Sequence, residues 1–336
     1  MAFGGMKLAE RVQLFRELAT LIDSGMSLGM ALSTLENRPG SLEQRMAIHD
    51  AAVQVGRGKR FSDVMRQYPK IFTELNIALV AAGEEGGHLD TMLNSTADYL
   101  ERDMEFQQTL ARETFYPKIL LGAIVLIPLG TRMLITGITG TIGAALLVGI
   151  KFLAIVAFFV LLPAYLLYLA YRKYYQTEQG RIAIDRFKLQ VPIIGTIIGK
   201  LAWTRMCRAL SALYSAGVNI RSAVMVASRT SGNRVFELAL QGTVPALERG
   251  EKLSDALAKT GQVPALAMSM LRTGEETGGI DSTMLKVADY FEAEATTSLK
   301  KLTIMIVPLC VIIGAIVVLF QLLSFYGGYF SSILSE

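Results

Sequence analysis

Two pairs of adjacent carboxylates are the first feature of this 336-residue chain with a chemistry to offer. Glu84-Glu85 lies between Gly83 and Gly87, and Glu275-Glu276 lies between Gly274 and Gly278. Paired carboxylates serve as general acid and base, or hold a cation. The same pattern also reads as a helix-ending turn, with glycines taking positive φ and glutamates beside the positive N-terminus of the next helix. No histidine or nucleophile recurs with both pairs, His88 standing beside the first alone, so the turn is the favoured reading and a partner contact the second. Ser62-Asp63 and Ser254-Asp255 read as helix starts. Gly195-Thr196-Ile197-Ile198-Gly199-Lys200-Leu201 invites comparison with a phosphate-binding loop. That loop needs four residues between its glycines and a Ser or Thr after the lysine; here three intervene and Leu201 follows. Nucleotide binding is therefore not expected, and no cofactor is. His49 and His88 have no ligand-like neighbours, and Cys207 and Cys310 build neither a disulfide framework nor a zinc site. Metal and catalytic residues are expected to be absent.

The elements that position these residues divide by hydropathy. The chain is 52% hydrophobic and 18% charged, with mean hydropathy +0.41, against about 25% charged residues in an ordinary soluble domain. A membrane is implied. Phe152–Tyr171 is twenty residues without a charge, enough for a helix to cross the hydrocarbon core. Leu302–Ser335 is uncharged throughout, its most apolar part being Thr303–Phe325. A third apolar run begins at Phe115 and is interrupted by Arg132, whose side chain can snorkel to the interface. Arg132 and Lys151 lie between or at the ends of the spans, readable as snorkelling groups or as contacts for a partner within the bilayer. Lys/Arg bias sets the orientation. Arg112, Lys118, Arg172, Lys173, Lys300 and Lys301 flank one side of the three runs, and Arg132 and Lys151 alone lie on the other. The start of the chain lacks the apolar stretch of a signal peptide, which predicts an N-terminus in the cytoplasm and a C-terminus outside. A rival reading makes 133–150 a span of its own, giving four.

The two polar segments repeat one another. Arg16, Leu18, Leu21 and Gly25 recur 192 positions later as Arg208, Leu210, Leu213 and Gly217, and Gly58, Ser62 and Asp63 recur as Gly250, Ser254 and Asp255. After one deletion the offset is 191: Gly83-Glu84-Glu85 matches Gly274-Glu275-Glu276, and Ala97-Asp98-Tyr99 with Glu101 matches Ala288-Asp289-Tyr290 with Glu292. Pro117 matches Pro308. Copies with one surface should face one compartment, which favours three spans. Each copy reads as helical. Leu8, Val12, Phe15, Leu18 and Ile22 step by three and four, Gly25 sits where a helix-ending glycine belongs, and Ser41 with Gln44 forms a capping-box pattern. Asn37-Arg38-Pro39-Gly40 reads as a loop. Breakers divide a copy into about six helices, and no run alternates at period two.

The expected architecture is all-α. It comprises a cytoplasmic helical repeat over 1–114, transmembrane helices over 115–138, 149–171 and 303–325, a short outer loop over 139–148, a second cytoplasmic repeat over 172–302, and an outer tail over 326–336. The charge split, −3 over residues 1–118 and +6 over 172–301, mixes both signs and argues against nucleic acid.

Leu210-Ser211-Ala212-Leu213-Tyr214-Ser215-Ala216-Gly217-Val218, the lead-in Val191-Pro192-Ile193-Ile194-Gly195, and the two Gly-Glu-Glu-x-Gly segments together resemble the platform proteins of general secretion pathway F and type IV pilus biogenesis. The ordered set, with its domain–two spans–domain–span layout, covers nearly the whole chain. An early first repeat and a short apolar link between the first two spans resemble the shorter type IVb pilus members. The resemblance implies a non-enzymatic inner-membrane scaffold. Its implied partners are a cytoplasmic secretion or pilus assembly ATPase, pilin or pseudopilin, other inner-membrane assembly proteins, the lipid bilayer and further copies of itself. The alternative class is a transporter or channel subunit, for which three spans are few and the repeat lies mainly outside the membrane part.

Overall fold

The computed structural model describes residues 6–36, 40–139, 147, 149–151, 154, 158 and 162–334. Every regular element among them is helical. The first copy contains α1 (Leu8–Asp23), α2 (Leu28–Leu35), α3 (Leu42–Gly56), α4 (Phe61–Met65), α5 (Glu74–Gly86) and α6 (Leu89–Glu113), the six helices its breakers predict. Then come α7 (Phe115–Thr139), α8 (Leu162–Tyr175) and α9 (Glu178–Gln190). The second copy follows as α10 (Ile194–Ser215), α11 (Ile220–Thr230), α12 (Arg234–Gln241), α13 (Val244–Glu248), α14 (Leu253–Ala258), α15 (Ala265–Thr277) and α16 (Ile280–Leu334).

Helix boundaries obey the repeat. α2 and α11 begin 192 residues apart, as do α3 and α12; α5 and α15, and α6 and α16, begin 191 apart, so the deletion falls in the connection before α5 and α15. Local chemistry accounts for the limits. The Ser41 hydroxyl accepts from the Gln44 amide at 3.3 Å while the Gln44 side chain accepts from the Ser41 amide at 2.9 Å, which closes the capping box of α3. Gly25 and Gly217, at φ +88° and +75°, turn the chain out of α1 and α10 in the left-handed region that glycine enters without steric cost. The counterpart of α3 is split into α12 and α13, because Pro245 has no amide proton to continue the ladder. The loop expected over Asn37–Gly40 lies, up to residue 39, outside the described residues.

Contacts divide the chain into two compact units: residues 1–108 with 188–295, and residues 109–187 with 296–336. The first unit contains both copies. Phe15, Leu18, Leu32, Phe61, Phe72 and Leu93 centre the first copy's core, with Phe15 and Phe61 edge-on to Phe72 at 6.2 and 6.0 Å. The second core is built on Trp203, Leu210, Leu213, Leu253 and Val287, and it also receives Leu75, Leu79 and Met92 from the first copy. Burying such a side chain stabilises by about 1.5–3 kcal/mol. The two copies are therefore welded by the α5 face of one against α10 and α11 of the other.

In the second unit, α16 is the one described helix long and apolar enough to span a membrane, with a stretch of mean hydropathy 3.0 of which 6% is buried. It runs unbroken from the repeat through Leu334, across the boundary at 302–303 and on through the segment expected to be an outer tail. Leu166, Leu167 and Tyr168 of α8 and Ile304, Leu309 and Phe320 of α16 are exposed, an apolar surface that water would not favour. Of the region expected to form the second span, residues 152–153, 155–157 and 159–161 lie outside the described residues.

Candidate functional site

The glycine–glutamate segments form the same corner in both copies, between α5 and α6 and between α15 and α16. Gly87 and Gly278 end the preceding helices at φ +71° and +75°. Gly83 lets α6 approach: a Cβ there would stand 2.7 Å from the Met92 Cβ and 3.1 Å from the Leu89 Cα. At Gly274 it would stand 2.2 Å from the Thr283 Oγ1 and 3.1 Å from the Ile280 Cα. These two glycines are buried, and the tight crossing needs a residue without a side chain.

The carboxylates do not converge on a common point of chemistry. Glu84 accepts hydrogen bonds from the Phe61 amide at 2.5 Å, the Ser62 amide at 3.2 Å and the Ser62 hydroxyl at 2.5 Å. It thereby caps α4, whose N-cap residue Arg60 contributes no side-chain bond. Glu275 accepts from the Ser254 amide at 3.1 Å and does the same for α14. The expectation that these glutamates attend the next helix is corrected here. They cap the helix before, because the chain folds back so that the end of α5 meets the start of α4. Ser62 and Ser254 are accordingly buried in the first turn of α4 and α14 and are not its N-caps. Glu85 is exposed and pairs with Arg60 at 3.2 Å; Glu276 is exposed.

The other residues singled out by type are accounted for singly. Gly195–Leu201 is the opening of α10, where a Gly195 Cβ would meet the Leu189 carbonyl oxygen at 2.0 Å, and Lys200 pairs with Glu294 at 2.7 Å. His49 contacts Glu36 at 2.6 Å on the surface. Cys207 is buried, and burial pushes its thiol up to about 12. No cluster of three or more His, Cys, Asp or Glu suited to a metal occurs among the described residues. Arg132 falls within α7, its side chain outside the described residues, and Lys151 is helical and exposed.

Two constellations were not singled out from sequence. The first is a duplicated clamp. Arg16 donates to Asp98 at 2.6 Å and to both oxygens of Glu101, tying α1 to α6, and Arg208 pairs with Glu292 and, at 3.7 Å, with Asp289, tying α10 to α16. All six residues belong to the repeat, so opposite charges recurring together were the available signal. The second is the seam between copies. Glu74 of α5 pairs with Arg229 of α11 beside a cavity of about 400 Å³ that Tyr99, Asp103, Arg11 and Arg205 also line. Burial raises the Asp103 carboxyl above its ordinary value, opposed by Arg205, a hydrogen bond from Gln107, Arg208 and Arg11. No spacing rule reaches that seam, because its two sides are more than 100 residues apart.

Two helices of the second unit, α7 and α16, meet near one point. Pro117 cannot offer an amide proton to the Glu113 carbonyl; the Thr303 hydroxyl donates to that oxygen at 3.4 Å, and Lys300 stands 3.7 Å from the Glu113 carboxylate.

The architecture so far is that of a duplicated helical module whose second copy runs directly into a long apolar helix. The chain belongs to the family of type II secretion system protein F: the family model matches residues 14–137 and again residues 206–328, one match per copy. It is similar to the type IV pilus assembly protein PilC of Thermus thermophilus, 34% identical over 315 residues, which cover 90% of this chain and 77% of that one. It is also similar to the type IV pilus assembly protein PilC of Myxococcus xanthus, at 30% over 94% and 78% of the two chains. The type II secretion system protein F of Xanthomonas campestris pv. campestris is 30% identical over 90% and 77%.

Proposed function

We propose that this chain is an inner-membrane platform of type IV pilus assembly or type II secretion, a scaffold that couples a cytoplasmic ATPase to the polymerisation of pilin or pseudopilin. The observation that carries the reading is the double match to one family, each copy paired with an apolar helix entry. The relatives bearing pilus-assembly and secretion names are about equally similar, so either machine fits.

Three spans, near 115–138, 149–171 and 303–325, with the N-terminus and both repeats in the cytoplasm and the C-terminus outside, accord with this role. Support comes from the contact of Glu113 with Lys300 and Thr303, which puts the entries of α7 and α16 side by side, as expected of two helices entering from one face. The copies also share a core, which accords with one compartment for both. The corner formed by Gly83, Glu84, Glu85 and Gly87, and by Gly274, Glu275, Glu276 and Gly278, acts as a structural joint that holds α4 and α14 against the long helices. Arg132 and Lys151 anchor the outer ends of the first two spans, near the groups a pilin presents in the membrane. Because Asp, Glu and His are not assembled into a reaction centre in this reading, the energy for assembly comes from the partner ATPase.

Deleting the gene in its own organism tests the proposal. Loss of surface fibres or of a secreted substrate, restored by the intact gene in trans, is expected; normal fibres and normal secretion in the deletion strain would refute it.

A further inference from the structure

The seam between the copies carries cations that the repeat does not account for. Arg11 of α1, Arg205 of α10 and Arg229 of α11 line one cleft of about 400 Å³ within the first unit. At the 192-residue offset the matching residues are Trp203, Gln13 and Asn37, and none is charged. These arginines therefore belong to the place where the copies meet, not to the module itself.

Fastening the copies accounts for only one of them. Arg229 pairs with Glu74 across the seam. Arg11 and Arg205 pair with no carboxylate among the described residues. Arg11 donates to the Met6 carbonyl at 3.3 Å, and its Nε is shielded from solvent with no partner among the described residues. Burial lowers the Arg11 pKa, and Asp103 offsets that only in part. Asp103 accepts from Gln107 at 3.0 Å, yet burial keeps its carboxyl above the ordinary value against the pull of Arg205, Arg208 and Arg11. Arg208 is itself committed to Glu292. Tyr99 also lines the cleft; burial, then Asp103, raise its phenol, which leaves it a neutral donor. Three guanidiniums against Asp103 and Glu74 make the cleft net positive.

A half-buried cation without a counter-ion destabilises a fold, a cost that the uncharged residues of the other copy avoid. Groups kept at such a cost in a concave site are best accounted for by a ligand. The chemistry of the cleft selects its class. One guanidinium fork satisfies a carboxylate, whereas the three free oxygens of a phosphate monoester take two. Asp103 is an acceptor and needs a donor beside that anion, which a sugar hydroxyl supplies. The volume lies at the small end of ligand sites, which run from about 300 to 1,000 Å³. We propose that the seam cleft binds a small phosphate ester, with Arg11 and Arg205 holding the phosphate and Asp103 a hydroxyl of the organic part. This site is separate from Gly195–Leu201, whose Lys200 is taken by Glu294. A platform role neither requires nor forbids such a ligand, so the two readings stand or fall separately.

The test is a calorimetric titration of the full chain in detergent micelles with ribose 5-phosphate, adenosine monophosphate, inorganic phosphate and ribose. Saturable binding of an ester tighter than about 1 mM is expected, with inorganic phosphate about tenfold weaker and ribose silent. Preference for adenosine monophosphate would assign the site to nucleotides, and equal binding of the two esters to sugar phosphates. Arg11→Gln and Arg205→Gln should each weaken the ester about tenfold. Arg11→Lys, which keeps the charge but loses the fork, should weaken it as well. Arg57→Gln, on the exposed surface, should stay within about twofold of wild type. Without ligand, Arg11→Gln should melt no lower than wild type, because it removes an unpaired half-buried cation. A lower melting temperature for Arg11→Gln, with ester affinity unchanged, would make the arginine structural and overturn the site. No binding of either ester would overturn it too, as would inorganic phosphate bound alone and equally by all variants, an adventitious ion only.

Discussion

The two copies share helix boundaries, corner glycines, capping glutamates and charge clamp, and they differ most where they touch. In the first copy α5 presents Leu75, Ala78, Leu79 and Ala82 to the shared core; the matching α15 residues are Leu266, Ser269, Met270 and Thr273, of which Leu266, Ser269 and Thr273 are exposed. In the second copy the receiving face holds Ala209, Ala212 and Val226, and the matching first-copy residues are Glu17, Thr20 and Thr34. A duplication would otherwise leave each half with one unused sticky face and a route to open-ended stacking. Here the unused faces are more polar than those in the seam, with Ser269 and Thr273 on one and Glu17, Thr20 and Thr34 on the other, and the docking runs one way, from the first copy onto the second. Position in the seam, and not membership in the repeat, explains which residues are apolar.

A second difference concerns the long helices. α6 stops at Glu113 and α7 restarts at Phe115, whereas α16 passes through the equivalent point without a break. The Thr114 hydroxyl donates to the Leu110 carbonyl at 2.9 Å, an oxygen that also accepts the Thr114 amide at 3.1 Å, and Pro117 follows without an amide proton for the Glu113 carbonyl; in α16 the matching residue is Met305, which has no hydroxyl, and the helix accommodates Pro308.

The seam is where the comparison breaks most easily. Leu79→Ala should cost about 3 kcal/mol through lost burial and a cavity at the junction, while Met270→Ala on the half-buried matching face should cost about 1 kcal/mol, as read by thermal or denaturant unfolding followed by circular dichroism. Equal costs would mean that docking is not directional. The clamps come next. The Arg208 side chain is 6% exposed and that of Arg16 is 37%. Arg208→Ala strands the half-buried Glu292 and should cost about 2 kcal/mol; Arg16→Ala should cost under about 1 kcal/mol, since water and salt replace an exposed pair. The corner sharpens the likeness between copies. Gly83→Ala should cost about 1.5 kcal/mol because the Met92 Cβ is fixed to its backbone, and Gly274→Ala about 1 kcal/mol because the Thr283 hydroxyl can rotate away.

Much of the fold was legible because its signals are local or duplicated. Gly25, the Ser41–Gln44 box and the apolar steps of α1 act within a turn or two of helix, and the 192/191 offset carried each reading to the second copy. The capping of α4 by Glu84 was not legible, since donor and acceptor lie 22 and 23 residues apart and meet only when α5 folds back. The seam was further out of reach: Leu75 and Leu79 look like any core residues of a helix, and only the packed structure reveals that the core they enter belongs to the other copy. The corner motif was legible as a turn, although its partner helix was assigned to the wrong side. Arg132 and Lys151 stand out by charge, and their role depends on a bilayer that residue types alone do not position.

The central claim is that both copies occupy one compartment behind their apolar helices. Single cysteines at Ser33 and Ser269, both exposed, test it with a membrane-impermeant maleimide applied to intact spheroplasts and to lysed membranes. The native thiols should contribute little, since Cys207 and Cys310 are buried and the former is held protonated at the labelling pH. The account predicts that neither position labels in intact cells and that both label after lysis. Labelling of Ser269→Cys from outside, with Ser33→Cys protected, would contradict it.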